Sequence, residues 1–348
     1  MRPVARALRS VRRMKLIIQI PCLNEAATLP ATLADLPRSV PGIDTIEVLV
    51  IDDGSRDDTS AVARTHGVDH VIRFRQPKGL AAAFMAGIDA SLKAGADLIV
   101  NTDADNQYAG RDIARLVAPL LAGEADIVIG DRNIRELPHM SGGKKLLQRL
   151  GSWAVRVVSN TKVPDTTSGF RAYTRDAALR MTIVSDFSYT LESIINAGKR
   201  RMAIAHVNVA TNPRTRPSRL FKSVWGYLKE SGATIVRVYT MHEPLKVFTY
   251  LGSLVFVVGL FGGGRFLYYY WIGEAYRHLA SLVASAVFMI LGFQIVLIGL
   301  VADAISSTRR LIEDLLYRVR VMELGEPEGP ARPADAHLGR PVVHQADR

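Results

Sequence analysis

The sequence predicts an α/β fold with a mostly parallel sheet, followed by two helices long enough to cross a membrane. Three observations carry that prediction. Short β-rich runs alternate with helical stretches through the first half of the 348 residues. Two apolar runs without a charge occupy residues 247–264 and 279–302. Polar clusters fall just beyond the expected strand ends, where open α/β sheets bind their ligands.

Residues 1–14 form a basic tail carrying Arg2, Arg6, Arg9, Arg12 and Arg13. The apolar run behind it, residues 16–20, has the length of a strand and is too short for a signal-peptide core. Strands are expected at residues 15–20, 47–52, 70–74, 98–102 and 127–130, and helices at 26–36, 59–65, 80–94 and 112–121. A catalytic domain therefore covers residues 15–216. Its strand ends carry Asn24-Glu25, Asp52-Asp53-Gly54-Ser55 and Asp103-Ala104-Asp105.

From residue 217 the pattern becomes helical and amphipathic, with Leu220, Phe221, Val224, Trp225 and Leu228 on one face. Residues 217–244 read as interfacial helices, although a helix packed on the catalytic core has the same spacing. Spans follow at 245–272 and 279–302. The first reaches spanning length by continuing past Arg265 to Trp271, which puts Tyr268, Tyr269, Tyr270 and Trp271 in the headgroup belt. Leu311, Ile312, Leu315, Leu316 and Val319 make residues 303–324 a separate amphipathic cytoplasmic helix. Residues 325–348, with four prolines and little apolar content, are expected to be disordered.

The formal charge of +11 raises nucleic acid as a partner, but Lys and Arg gather beside the apolar segments and in the basic tail. That distribution favours anionic membrane lipid, and the interleaved aromatics of a strand-binding groove are missing. Arg214, Arg216, Arg219, Lys222, Lys229, Arg237 and Lys246 precede the first span, and Arg309, Arg310, Arg318 and Arg320 follow the second. The loop between them, residues 273–278, has Arg277 as its one full positive charge. The positive-inside rule then puts both termini and the catalytic domain on the cytoplasmic side of a bacterial-type membrane. Exposed apolar spans also leave packing against a second copy open. Cys22 is the single cysteine, which excludes an intramolecular disulfide and a cysteine zinc cage.

Asp103 and Asp105, with Gln107 as a third oxygen donor, are hard ligands suited to Mg²⁺ or Mn²⁺. A D-x-D pair alone is a weak signal, because turns after strands use aspartate for caps and Asx-turns. Asp52 and Asp53 carry the same ambiguity. Either could accept from a nucleobase N–H or a ribose hydroxyl, as acidic residues do at other nucleotide sites.

As an ordered set, residues 21–25 (Pro-Cys-Leu-Asn-Glu), 50–55 (Val-Ile-Asp-Asp-Gly-Ser) and 103–107 (Asp-Ala-Asp-Asn-Gln) resemble the family 2 glycosyltransferases. Residues 130–132 (Gly-Asp-Arg), 165–171 (Asp-Thr-Thr-Ser-Gly-Phe-Arg), 212–219 and the pair of spans are similar to the dolichol-phosphate mannose synthase branch. The resemblance implies a GT-A fold, a nucleotide-sugar donor, a polyprenyl phosphate acceptor and inversion at the anomeric carbon. Carried over by motif, Pro21, Asn24, Glu25, Asp52, Asp53 and Asp103 line the nucleotide-sugar site, and Asp103, Asp105 and Gln107 hold the metal. Arg132, Arg214 and Arg216 act on the diphosphate or acceptor. Arg149, Ser152, Arg171 and Arg219 are candidates for the acceptor phosphate, with a departure: Gln148 stands four residues before Ser152, where the branch often has arginine.

Three competing readings are weighed against these motifs. A processive polysaccharide synthase lacks support, since no Gln-x-x-Arg-Trp occurs and two spans cannot enclose a polymer channel. A family 2 transferase with a non-lipid acceptor and a catalytically idle membrane scaffold are the others, the last disfavoured by intact acidic motifs.

Overall fold

The computed structural model describes residues 13–133, 155–156, 159, 161, 163–184, 189–213, 232–233, 236–237 and 239–325. These divide into two compact units: one of residues before 236 together with the helix end from Tyr317, and a second formed by Val236–Leu316.

The first unit is built on seven strands: β1 (Lys15–Cys22), β2 (Thr45–Asp52), β3 (His70–Arg73), β4 (Leu98–Asn101), β5 (Ile127–Asp131), β6 (Arg171–Thr174) and β7 (Ile204–Asn208). They form one sheet in the order β3-β2-β1-β4-β6-β5-β7. Strands β1 to β4 pair in parallel, as the alternation with helices predicts, while β6 runs antiparallel to both β4 and β5. The sheet is thus mostly parallel, as expected, with β6 as its antiparallel strand and β7 parallel to β5. The helices α1 (Leu29–Asp35), α2 (Thr59–Thr65), α3 (Leu80–Lys93) and α4 (Ile113–Leu121) lie within a few residues of their predicted limits, and α5 (Arg175–Leu179) and α6 (Tyr189–Lys199) follow β6.

Strand β1 is central and apolar on both faces: Leu16, Ile17, Ile18 and Ile20 are wholly buried. A strand covered on both sides reads as a continuous apolar run rather than an alternating one. Leu16, Ile18 and Ile20 share a core with Val50, Val100, Val128, Leu116 and Leu120. Burying such side chains contributes about 1.5–3 kcal/mol each, and this anchors the strand ends at which the polar clusters sit.

Residues at the C-terminal end of α8 (Leu279–Leu324) belong to this same unit. Tyr317 Oη donates to Asp176 Oδ1 at 2.7 Å and lies under the Arg180 guanidinium at 3.8 Å. Arg320 donates to the carbonyls of Leu179 and Met181 at 3.1 and 2.9 Å.

In the second unit α7 (Pro244–Trp271) and α8 form a hairpin, with a short 3-10 turn at Ala275–His278. Small residues let the two backbones approach: a side chain on Gly252 would strike the Gly292 carbonyl at 2.6 Å, and one on Gly259 the Met289 amide at 2.7 Å. Their apolar windows average hydropathies of 1.8 and 2.4, and 11% and 17% of those windows are buried. Where the sequence suggests a span ending at residue 302 and a separate helix from 303, α8 runs unbroken. Nothing between Ala302 and Arg310 is Gly or Pro, so no residue stops it. The segment 217–231 of the expected interfacial helices and the tail beyond residue 325 lie outside the described residues.

Candidate active site

The loops after β1, β2, β4 and β5 converge because their strands are neighbours or near neighbours in one sheet. Asparagine follows three of these strands in the left-handed region: Asn24 (φ 55°), Asn106 (φ 53°) and Asn133 (φ 44°). Asparagine tolerates that conformation through local side-chain hydrogen bonds, so each chain can turn sharply out of the sheet.

The first two loops lock onto each other. The Asn24 amide donates to Ser55 Oγ at 2.9 Å, Asn24 Oδ1 accepts from the Arg56 amide at 2.8 Å, and the Glu25 amide donates to Thr59 Oγ1 at 2.9 Å. Asp52 is wholly buried, accepting from the Ser55 amide at 2.7 Å and from Ser60 Oγ, with Arg73 Nε at 3.6 Å. Asp53 accepts from the Lys78 and Gly79 amides at 2.6 and 2.9 Å at the start of α3. Both carboxylates are thus engaged by backbone amides, of their own loop for Asp52 and of the start of α3 for Asp53. Pro21 is buried within β1 opposite Ile51.

Past β4, Asp103 is half-buried, and Asp105 accepts from the Gln107 side-chain amide at 2.7 Å. Gln107 therefore orients Asp105. A Cβ on Gly169 would lie 2.9 and 3.0 Å from the Asp103 carboxylate oxygens and 3.0 Å from Tyr189 Oη, so only glycine leaves room here. Below it Asn101 Nδ2 donates to the Gly169 carbonyl at 2.8 Å and to Tyr189 Oη at 2.9 Å, and Gln19 donates to Asn101 Oδ1 at 2.9 Å. Phe84 stacks on Tyr189 at 4.0 Å. These buried hydrogen bonds fix the loop above them, while Gln19 Oε1 at the far end has no hydrogen-bond partner among the described residues.

Beyond β5, Arg132 makes a two-point contact with Asp165, through Nε at 2.7 Å and Nη2 at 3.1 Å, and Nη2 also reaches Thr167 Oγ1 at 2.9 Å. Burial alone would raise the Asp165 pKa, but the Arg132 charge and hydrogen bonds hold it below the usual carboxylate value. Tyr108 braces both loops, its ring 5.9 Å from the Arg132 guanidinium and its hydroxyl accepting from the Gly169 amide at 3.0 Å.

Asp103 is pushed up to about 7, chiefly by burial and next by the charge of Asp105, with Arg132 acting in the opposite direction. Between about pH 4 and 7 the folded protein holds a proton here that the unfolded chain has released, so this contribution to stability falls as pH rises through that window. Asp103→Asn should flatten that part of the profile. Thermal midpoints of metal-free protein in detergent, at about pH 5 and about pH 7.5, would check this; equal pH slopes in variant and wild type would remove the assignment.

Two family profiles match the chain: Glycosyl transferase family 2 over residues 17–181, and GtrB C-terminal hairpin over residues 243–308. The chain is similar to glycosyltransferase AglJ of Haloferax volcanii, 28% identical over 84% of this chain and 94% of that one. It is 33% identical to the undecaprenyl-phosphate mannosyltransferase of Micrococcus luteus, over 47% of this chain and 68% of that protein. The chain belongs to the family 2 glycosyltransferases. Those relatives and the hairpin profile support its polyprenyl-phosphate branch. The fold is also similar to glucosyl-3-phosphoglycerate synthase from Mycobacterium tuberculosis, crystallised with Mn²⁺, UDP and glucosyl-3-phosphoglycerate. That likeness has a TM-score of 0.50 and 24% identity, covering 66% of this chain and 79% of the other, and supports the GT-A fold.

Within this glycosyltransferase the predicted residues separate into three groups. Asp103, Asp105, Gln107 and Arg132 come together around the loops after β4 and β5, and Pro21, Asn24, Glu25, Asp52 and Asp53 form the adjoining floor. Arg171 is displaced from its expected role. It is wholly buried in β6 and donates to the Ser168 carbonyl, Ser193 Oγ and the Thr166 carbonyl at 2.7, 2.6 and 3.0 Å, so it holds the loop rather than facing an acceptor. Arg149, Ser152, Arg214, Arg216 and Arg219 lie outside the described residues. The described chain just before the last three runs beside the loop after β4, where the Asn212 amide donates to the Gln107 carbonyl at 2.9 Å. Sequence reasoning missed Asn101, Tyr108, Thr167 and Tyr189. A signal existed for Asn101, a polar residue ending an otherwise apolar strand.

Proposed function

We propose that the protein transfers a hexose, with inversion, from a GDP- or UDP-linked sugar to a polyprenyl phosphate at the cytoplasmic face of a membrane. The observation that carries this is a family 2 site with paired Asp103 and Asp105 in a chain that ends in an exposed apolar hairpin. A soluble acceptor needs no such hairpin. The name of the Micrococcus luteus relative points to the same acceptor class and puts mannose first among sugars to test.

In the proposed reaction an acceptor phosphate oxygen forms a bond to the anomeric carbon as the bond from that carbon to the donor diphosphate breaks. The electron pair leaves with the diphosphate. A lipid phosphate is already anionic at neutral pH, so the step needs no general base to activate it. What it needs is alignment and stabilisation of the departing charge.

Asp103 and Asp105 fit a divalent cation: the Asp105 charge raises the cost of ionising Asp103, and a bound cation would relieve it. Among the described residues no group of three His, Cys, Asp or Glu could hold a metal. A Mg²⁺ or Mn²⁺ would therefore complete its shell with donor phosphates, and when bound it neutralises charge on the leaving diphosphate. Asp105 is aimed by Gln107, and Asp103 is seated on Gly169. Arg132, held by Asp165 and Thr167, adds fixed positive charge beside Asp103. Arg214 and Arg216 would supply further charge to the phosphates.

The test is an assay of purified protein with undecaprenyl or dolichyl phosphate and a panel of labelled GDP- and UDP-hexoses. Label should partition into organic solvent and be released by mild acid. Label recovered only on protein or soluble glycan, with polyprenyl phosphate supplied, would overturn the acceptor.

A further inference from the structure

We propose that the loop end of the hairpin binds an anionic phospholipid, its phosphate on Arg265 and one acyl chain in the hollow beside Gly264. This rests on the reading that the hairpin crosses a membrane. The site is separate from the sugar-transfer residues, which all belong to the other unit.

Arg265 interrupts an otherwise uncharged helix face. Counted from Val247 at about 1.5 Å per residue it stands about 27 Å along α7, close to the thickness of a hydrocarbon core of about 30 Å. It therefore reaches the far boundary of the apolar layer. Its side chain is exposed, and its recorded contact among the described residues is the Tyr269 ring at 5.6 Å. Tyr269 in turn stacks on His278 at 3.8 Å, which fixes the aromatic partner in place. Glu274, Arg277 and His278 are the other acidic or basic residues of this end, beside the tyrosines Tyr268, Tyr269, Tyr270 and Tyr276, and no ion pair joins Arg265 to Glu274.

Beside this cation Leu260, Phe261, Gly264 and Arg265 line a hollow of about 380 Å³. A side chain on Gly263 or Gly264 would meet nothing within 4 Å, so the hollow opens away from the hairpin. Phe261 is 77% exposed at its edge. The ligand that matches has an apolar chain next to a negative headgroup, and a cation at the edge of the apolar layer with no counter-ion among the described residues calls for one. A second copy fits less well. A two-fold contact here would bring two Arg265 guanidinium groups to the same patch.

The experiment is native mass spectrometry of the full chain in detergent, titrated with phosphatidylglycerol or phosphatidylcholine. Wild type should retain phosphatidylglycerol in preference, and Arg265→Gln should lower that retention about fivefold, the size expected of one basic residue at an anionic surface, and lower that of phosphatidylcholine, whose ammonium offsets its phosphate, by less. Gly264→Leu fills the hollow and should reduce both. Equal phosphatidylglycerol retention by wild type and Arg265→Gln would overturn the site. So would a change of oligomeric state in either variant with lipid retention unaltered, which assigns the patch to a second copy. Extraction of the wild type by alkaline carbonate without detergent would instead fail the membrane reading itself.

Discussion

Asp105→Ala is expected to lower kcat by about 10²–10³ or more while the protein stays in the membrane fraction, since transition-state charge stabilisation is lost and no apolar contact of the hairpin changes. Asp105 is held by the Gln107 amide rather than by the core, so the variant should fold. Two measurements separate the causes: turnover with saturating donor, and titration with Mg²⁺ or Mn²⁺. Loss of turnover with a large rise in the metal concentration needed supports the assignment. Near wild-type turnover without added metal would end it.

The second large effect is structural. Asp165→Ala leaves Arg132 partly buried without its carboxylate partner, and breaking such a pair from one side costs about 3–5 kcal/mol. The Asp165 side chain is wholly buried and that of Arg132 is 21% exposed, so little solvent screens the loss. Replacing both, as Arg132→Met with Asp165→Leu, should recover most of the thermal midpoint, because the desolvation cost of both charges disappears. Activity should not return with it. If the double variant regains turnover, the positive charge at Arg132 has no part in the reaction and the pair is only a brace.

The parallel half of the fold was legible because β1, β2 and β4 carry apolar runs, residues 16–18, 48–51 and 98–100, that lead toward turn residues. The antiparallel β6 was not. It has four residues, begins with the buried Arg171 and offers neither a run nor an alternation. Helix α6 buries Thr190, Glu192, Ser193 and Asn196 as well as Leu191, Ile194 and Ile195, so its short apolar stripe is flanked by buried polar residues and does not stand out in the sequence. The same masking hid part of the site. Asp103 and Asp105 announce themselves by residue type, whereas Tyr108 and Tyr189 look like ordinary aromatics until the loop containing Gly169 folds against them. Arg171 misled in the opposite way, since an arginine at the end of a polar motif looks available to a phosphate, whereas here it opens β6 and is spent on two carbonyls and a hydroxyl.

The continuous α8 has a comparable lesson. A drop in hydropathy after Ala302 ends the apolar layer but does not end a helix, because helix termination needs a cap, a glycine or a proline. Composition therefore marks where a membrane would stop more reliably than where secondary structure does.

The central claim is that one phosphate joins the sugar to the lipid, and the mass of the lipid product tests it most directly. With polyprenyl phosphate and the accepted nucleotide-sugar, the account predicts a product heavier than the acceptor by one hexosyl residue and carrying a single phosphate. A lipid diphosphate sugar would mean that a sugar phosphate had been transferred, and would contradict the account.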